Sequence, residues 1–145
     1  MPTHFTLREA QSLIPKVSGL LREAIASRTE AAEAEREVRA STERIVLMGG
    51  VLVNTAVARQ AKVRLETAAV RLREAVESVQ ELGCVVKDLG TGLIDFPTVY
   101  RDQEVFLCWK LGEPEIQFWH GVDEGFAGRK PIDRDFREHH GAPEE

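Results

Sequence analysis

The sequence lacks most of the features that define secreted, membrane-spanning and nucleic-acid-binding proteins. Its 145 residues include two cysteines, Cys84 and Cys108, which are too few for a disulfide framework. No uninterrupted apolar stretch approaches the roughly 20 residues of a membrane-spanning helix, and the first residues lack the basic start and apolar centre of a secretory signal. The net charge of −5 argues against a nucleic-acid partner, which requires a basic surface. We therefore expect a soluble cytoplasmic protein with two buried free thiols and with neither a membrane nor a nucleic-acid partner.

Recognisable catalytic and cofactor motifs are missing as well. The sequence contains no GxSxG turn around a nucleophilic serine, no phosphate-binding loop that ends in Lys-Ser or Lys-Thr, and no HExxH or CxxC spacing. We assign no catalytic residue, no cofactor and no metal ligand from motifs. A non-enzymatic protein is therefore favoured, and enzymatic activity stays open.

A long helix is predicted near the start of the chain. Thr6 and Glu9 have the spacing of a capping box, and Phe5 can pack against Ala10 as a hydrophobic staple. The apolar positions then follow a 3–4 spacing that is typical of a helix packed on another helix: Leu7, Ala10, Ile14, Val17, Leu21 and Ala24. Pro15 interrupts this pattern, so we expect a kink there, or a short helix followed by a long one. Beyond Ala24 we expect a weaker and more polar continuation: Arg28, Ala31, Glu35 and Val38.

A second helix follows, with a more regular pattern. Asn54 is its expected N-cap, and Gly83 occupies the position of a left-handed terminating residue. The positions between them keep heptad spacing: Ala58, Ala61, Leu65, Ala68, Leu72, Ala75, Val79 and Leu82. The two helices are therefore predicted to form a long antiparallel, coiled-coil-like hairpin over residues 5–82.

The connection between the helices, residues 45–53, is apolar. Gly49 and Gly50 indicate a turn, and exposed apolar patches of this kind usually mark contacts with another chain. The alternative is burial of the turn against the protein's own sheet. The candidate interface residues are Ile45, Val46, Leu47, Met48, Val51, Leu52 and Val53.

After Gly83 the apolar periodicity becomes short and strand-like. Strands are predicted over residues 84–87, 93–96, 104–111 and 116–120, joined by turns that contain Gly, Asp or Pro. The fold class is therefore α+β: the helical hairpin, with its first helix kinked near Pro15, followed by a small four-stranded antiparallel meander. We expect a single domain over 1–145, in which residues 83–120 form the sheet and 121–145 form a loop and a flexible charged tail.

The loop after the fourth predicted strand contains most of the side chains suited to binding. The candidate binding residues are Trp119, His120, Glu124, Phe126 and Arg129. The guanidinium of Arg129 can hold a carboxylate or phosphate in two-point contact. The structural alternative pairs it with a carboxylate of this chain, from Glu113, Asp123 or Glu124.

His120 offers a second kind of chemistry. A histidine can act as a metal ligand or as a general acid–base residue. The donors that could join it are Cys108, Asp95 and either Glu113 or Glu124. Because these residues have none of the usual ligand spacings, we predict no metal site. We expect a strand-end histidine that is hydrogen-bonded to a neighbouring carboxylate or carbonyl.

Four runs of the sequence resemble one known family. They are FTLREAQSLIP (5–15), KDLGTGLIDFP (87–97), LCWKLGEPEIQFWH (107–120) and DEGFAGRKPI (123–132). Together they resemble the bacterial proteins catalogued as domain of unknown function 2203, over nearly the whole chain. The family has no established activity, so the resemblance implies a soluble bacterial protein and leaves its function open.

Two functions follow from the sequence. The favoured one is a non-enzymatic interaction or self-associating module, which forms a homodimer or contacts a protein partner through the hairpin and its apolar turn. The alternative is a small-molecule-binding or metal-binding protein, with or without enzymatic activity, whose site lies at the Trp119–His120 and Arg129 end of the sheet.

Overall fold

The computed structural model describes residues 4–47 and 55–141, and its fold class is α+β. Two helices come first, α1 (Leu7–Leu47) and α2 (Thr55–Glu81). Five strands follow: β1 (Val85–Asp88), β2 (Leu93–Tyr100), β3 (Gln103–Lys110), β4 (Phe118–Gly121) and β5 (Lys130–Pro131). A single 3₁₀ turn (Phe126–Gly128) precedes β5, and a short helix, α3 (Arg134–His139), follows it. No helix in these described ranges is long and apolar enough to cross a membrane.

The start of α1 is held by the predicted capping box. The Thr6 amide donates to Glu9 Oε1 at 2.9 Å, and the Glu9 amide donates to Thr6 Oγ1 at 3.1 Å. Phe5 and Ala10 are both buried in the core, as a hydrophobic staple requires. The helix then continues through Pro15, so the alternative of two separate helices is wrong. A bend at Pro15 stays a prediction.

The end of α2 also follows its local signal. Gly83 has a φ of 101°, a left-handed conformation that glycine adopts without steric cost. The amides of Leu82 and Gly83 close the final turn by donating to the carbonyls of Val79 and Gln80. The predicted helix end at Gly83 is therefore confirmed.

The sheet is an antiparallel meander in the order β1-β2-β3-β4-β5. It has one strand more than predicted, because β5 has two residues and includes Pro131, too short to produce an alternating pattern. Strand β2 extends past the predicted end at residue 96. Pro97 is tolerated because β1 pairs with β2 up to Asp95, so the missing N–H of Pro97 leaves no bond to β1 unmade.

The described residues divide into two compact units. In the first, which contains the residues up to Leu21 and those from Val76 onward, the sheet packs its core on the start of α1 and the end of α2. The fully buried large side chains of this core include Leu21, Val79, Ile94, Phe96, Leu107 and Trp109.

The C-terminal segment of the first unit differs from the sequence prediction. A loop and a flexible charged tail were expected over 121–145, but α3 forms within this stretch and buries Phe136 completely. Asp133 caps α3 by accepting from the Phe136 amide at 2.8 Å. The prediction of a flexible tail is therefore wrong for this segment, because one apolar residue in a charged run is enough to anchor a short helix to the core. Residues 142–145 lie outside the described residues.

The second unit, Arg22–Ala75, is the helical hairpin. Its described buried side chains are all small: Ala24, Ser27, Ala34 and Ser41 on α1, with Ala61, Ala68 and Ala75 on α2. The weaker and more polar continuation expected beyond Ala24 is present, since Arg28 and Glu35 are exposed. The buried positions there are Ser27 and Ala34. Small side chains let two helices approach closely without burying a charge.

Candidate functional site

Three buried polar side chains lie together on the sheet face opposite the core. Asp95 pairs with Cys108 across β2 and β3, and Phe106 pairs with His120 across β3 and β4. Because alternate residues of a strand share a face, this register brings Asp95, Cys108 and His120 to the same face. They are 1%, 0% and 3% exposed, and one donor atom from each lies within 4.8 Å of the others. We call these three residues the polar triad.

Within the triad, both ring nitrogens of His120 face oxygen atoms. Nδ1 lies 2.8 Å from the Gly121 carbonyl oxygen, and Nε2 lies 3.0 Å from Asp95 Oδ1. The prediction of a strand-end histidine bonded to a carboxylate or carbonyl is therefore confirmed. Asp95 Oδ2 is buried and has no hydrogen-bond partner in the described part of the chain, which is costly for a carboxylate oxygen.

The thiol of Cys108 is not prepared for nucleophilic chemistry. Burial raises its pKa to about 12, and the negative charge of Asp95 adds to this effect more than Arg129 opposes it. Burial likewise raises the pKa of Cys84 to about 11. Both cysteines are buried and free, as predicted. A nucleophilic cysteine requires a thiolate, which the raised pKa of Cys108 disfavours. The chemistry left to the triad is proton exchange or the donation of ligand atoms to a metal ion.

Arg129 is neutralised at the edge of the same face. Its Nη2 lies 2.6 Å from Glu113 Oε1 and 3.3 Å from the Cys108 carbonyl oxygen. The guanidinium also packs over the rings of Phe118 and Phe126, at 4.2 and 4.7 Å from their centroids. The expected pairing of Arg129 with a carboxylate is present, with Glu113 as the partner of Nη2. Its Nε is buried and has no hydrogen-bond partner among the described residues.

Glu124 has a structural task in the loop. Its carboxylate accepts from the Gly121 amide at 2.9 Å and forms an ion pair with Lys130. These two contacts hold the pKa of Glu124 below its usual value, and the contact with Lys130 has the larger effect. A Cβ at Gly128 would lie 2.8 Å from Glu124 Cβ, so glycine is needed there for the loop to close around this carboxylate.

The candidate binding residues are divided between the two faces of the sheet. Trp119 pairs with Leu107 and therefore lies on the core face, where its ring stacks on Phe136 with centroids 5.0 Å apart. His120, the next residue, lies on the opposite face with the polar triad. Phe126 is half exposed beside Arg129. No single pocket can be lined by both Trp119 and His120, because neighbouring strand residues point in opposite directions.

A second candidate surface lies on the hairpin unit. Helices α1 and α2 border a groove of about 700 Å³. Its lining includes Ala26 and Ser27 from α1, and Val63, Thr67 and Ala68 from α2. Charged side chains also border it: Glu30, Arg59, Arg64 and Arg71.

Arg64 holds this part of the hairpin together. It forms ion pairs with Glu30, Glu33 and Glu37 on α1. The hydrogen bond from Arg64 lowers the pKa of Glu30. These pairs are partly exposed, so their effect is mainly to orient the two helices.

The predicted apolar interface cannot be placed in the same way. Residues 48–54 lie outside the described residues, and so do the side chains of Ile45, Val46 and Leu47. The proposal that this turn contacts another chain stays a prediction.

The comparisons with known proteins identify a family but no characterised relative. No curated protein and no solved structure matches the chain. Residues 3–132 match the model of a family described as uncharacterized conserved protein (DUF2203). The match includes every residue of the polar triad together with Glu113 and Arg129. Because it covers most of the sequence, the chain belongs to the DUF2203 family of uncharacterised conserved proteins.

Proposed function

We propose that this protein is a non-enzymatic, self-associating module in which two copies pack through their helical hairpins. One observation carries the proposal: the described side chains buried in the hairpin unit are alanines and serines, while three valines of α2 are exposed. Val57, Val63 and Val70 are 45%, 56% and 40% exposed. The hairpin therefore leaves these three valines largely in solvent, while the described positions that it buries fully hold small side chains.

The free energy of folding of such a hairpin favours further apolar side chains that cover the exposed valines. Burial of one methyl group contributes about 0.8 kcal/mol, whereas ordering one residue's backbone costs about 1–2 kcal/mol. A seam of alanines and serines therefore offsets little of the ordering cost of two helices. A further apolar layer over the valines would add the missing burial, as in a four-helix bundle.

The charges around the groove between α1 and α2 fit a second copy of this chain better than a partner protein that carries charges of a single sign. The lining of the groove contains Glu30 and also Arg59, Arg64 and Arg71. A surface that carries both signs can be complementary to itself when two copies meet about a two-fold axis. Val63 and Val70 are seven residues apart, the same interval that separates Ala61, Ala68 and Ala75, and this repeat is typical of helices that pack side by side.

Sedimentation equilibrium of the full chain at micromolar concentration tests the proposal. The expected result is a species with twice the chain mass of 16.2 kDa. The double substitution Val63→Glu, Val70→Glu should shift it to a monomer, because it buries carboxylates in the interface. Val122→Glu is the matched control, since Val122 is as exposed as Val63 but belongs to the other unit.

Each outcome of this experiment is decisive. A monomer at all concentrations contradicts self-association and leaves a different protein as the partner. A dimer that survives the double substitution contradicts the role of the α2 face. If Leu52→Glu then dissociates that dimer, the apolar turn at 45–53 is the interface.

The alternative of a small-molecule site at the Trp119–His120 and Arg129 end has less support. Trp119 and His120 lie on opposite faces of the sheet, and Arg129 is paired with Glu113. This alternative stays a prediction, and binding of an anionic ligand that is lost in Arg129→Gln would establish it.

A further inference from the structure

A neutral His120 ring cannot donate to both of the oxygen atoms that its two nitrogens face. A neutral imidazole carries one N–H donor and one acceptor nitrogen. In this structure both nitrogens face oxygen atoms that accept: the Gly121 carbonyl at 2.8 Å and Asp95 Oδ1 at 3.0 Å. If Nδ1–H of a neutral ring donates to the carbonyl, the lone pairs of Nε2 and Asp95 Oδ1 oppose each other until a proton or a metal ion lies between them.

The groups around that position are of the kind that orient the ligands of metal sites. A histidine that binds a metal through one nitrogen usually donates its other N–H to a carbonyl or carboxylate, and Nδ1 of His120 lies 2.8 Å from such a carbonyl, that of Gly121. Asp95 Oδ2 is buried with no hydrogen-bond partner among the described residues. It is therefore a second free ligand atom at the same place, and Cys108 contributes a third from the neighbouring strand.

We propose that Asp95, Cys108 and His120 bind a divalent transition-metal ion of the zinc class. Thiolate and imidazole ligands favour Zn²⁺ and similar ions over Mg²⁺ and Ca²⁺, which prefer oxygen atoms alone. A thiolate and a carboxylate together neutralise the two charges of the ion, so the loaded site can stay buried. Three protein ligands leave one position of a tetrahedral site for water or a further ligand.

The distances between the donor atoms suit such an ion. Zn–N and Zn–O bonds of about 2.0 Å and Zn–S bonds of about 2.3 Å separate tetrahedral ligand atoms by about 3.3–3.6 Å. The donor atoms of the triad already lie within 4.8 Å of one another. Small side-chain adjustments therefore complete the site. The adjacent cation Arg129 does not oppose binding strongly, since Glu113 neutralises it at 2.6 Å.

Cobalt substitution in the full-length protein tests this site. The protein is treated with a chelator, titrated with Co²⁺ and followed by absorption spectroscopy. We expect one equivalent of Co²⁺ per chain, ligand-field bands of tetrahedral coordination, a thiolate-to-cobalt charge-transfer band, and displacement of the cobalt by Zn²⁺. When the metal binds, the Cys108 thiol releases its proton to the buffer.

Matched variants identify the ligands. Cys108→Ala should lose the charge-transfer band, whereas Cys84→Ala should keep it, since Cys84 is a second buried free thiol outside the triad. Asp95→Asn should weaken cobalt binding at least 10-fold and still fold, because the new amide can donate to His120 Nε2. Circular dichroism of each variant confirms its fold.

Three results would overturn the proposal. One is a folded wild-type protein that binds no Co²⁺. Another is a charge-transfer band that persists in Cys108→Ala or disappears in a folded Cys84→Ala. The third is cobalt binding without any thiolate band, which would assign the ion to surface histidines such as His139.

Discussion

At the residue scale, His140 has a role that its sequence position did not indicate. Its Nε2 accepts from the Leu7 amide at 2.8 Å, and its Nδ1 lies 2.9 Å from the Phe136 carbonyl oxygen. One neutral tautomer satisfies both contacts, since Nδ1–H donates and Nε2 accepts. His140 therefore supplies an acceptor for one of the unpaired amides at the start of α1. This histidine therefore connects the two ends of the first unit.

His140→Ala should destabilise the protein. The substitution leaves the Leu7 amide without its acceptor, and the loss of a helix N-terminal acceptor costs about 1 kcal/mol. Urea unfolding followed by circular dichroism measures the change in the free energy of unfolding. His139→Ala is the control, because His139 is half exposed and forms its hydrogen bond and its ion pair with Asp135 of α3 itself. An equal loss in both variants would contradict the capping role of His140.

At the element scale, α3 is joined to β2 by a polar contact as well as by Phe136. Asp135 accepts a hydrogen bond from the Tyr100 hydroxyl and forms an ion pair with Arg101 at 2.6 Å. These contacts lower the pKa of Asp135, and the hydrogen bond from Tyr100 has the largest effect. The loop residues Arg101 and Asp102 have φ of 51° and 64°, as in the tight turns that join antiparallel strands. This turn positions Arg101 towards α3.

Stability should fall in acid partly through Asp135. A carboxyl group whose pKa is lower in the folded state stabilises the fold above its unfolded pKa of about 3.9. That contribution is lost as the pH falls below this value and through the lower pKa of the folded state. Urea midpoints measured from about pH 5 to pH 2 should decrease less steeply in Asp135→Asn than in the wild type. Asp123→Asn, on the exposed loop after β4, is the control, and an equal slope in Asp135→Asn and the wild type would contradict the assignment.

At the scale of the whole molecule, the two units differ in what they bury. The first encloses Trp109, Phe96 and Phe136 with almost no exposure, whereas the described side chains that the second encloses are alanines and serines. Local opening free energies follow the burial of apolar surface. The single domain predicted from the sequence is therefore expected to contain a stable sheet region and a less stable hairpin.

Hydrogen exchange monitored by mass spectrometry can measure this difference. Peptides from 22–44 and 56–75 should exchange faster than peptides from β2 and β3. Their exchange should slow as the protein concentration rises, because a second copy that binds the folded hairpin stabilises it by mass action. Uniform protection across both units at every concentration would contradict both the stability difference and the self-association that the valines of α2 support.

Features that depend on interactions within about four residues could be predicted from the sequence. The capping box at Thr6, the left-handed Gly83 and the turn at Arg101 are local, and the structure contains each of them. The antiparallel α+β architecture follows from helical and alternating periodicity, because apolar spacing states which face of each element must be buried.

Contacts between side chains that are distant in the sequence could not be predicted without the folded structure. Asp95 reaches His120 because the register of three strands aligns them, and a shift of one residue would move either side chain to the other face. The sequence analysis named Asp95 and Cys108 as possible partners of His120, but their spacing matched no ligand motif. The contact between His140 and Leu7 likewise joins residues 133 positions apart. Local conformational preferences do not specify such long-range contacts, because these contacts depend on how the complete core packs.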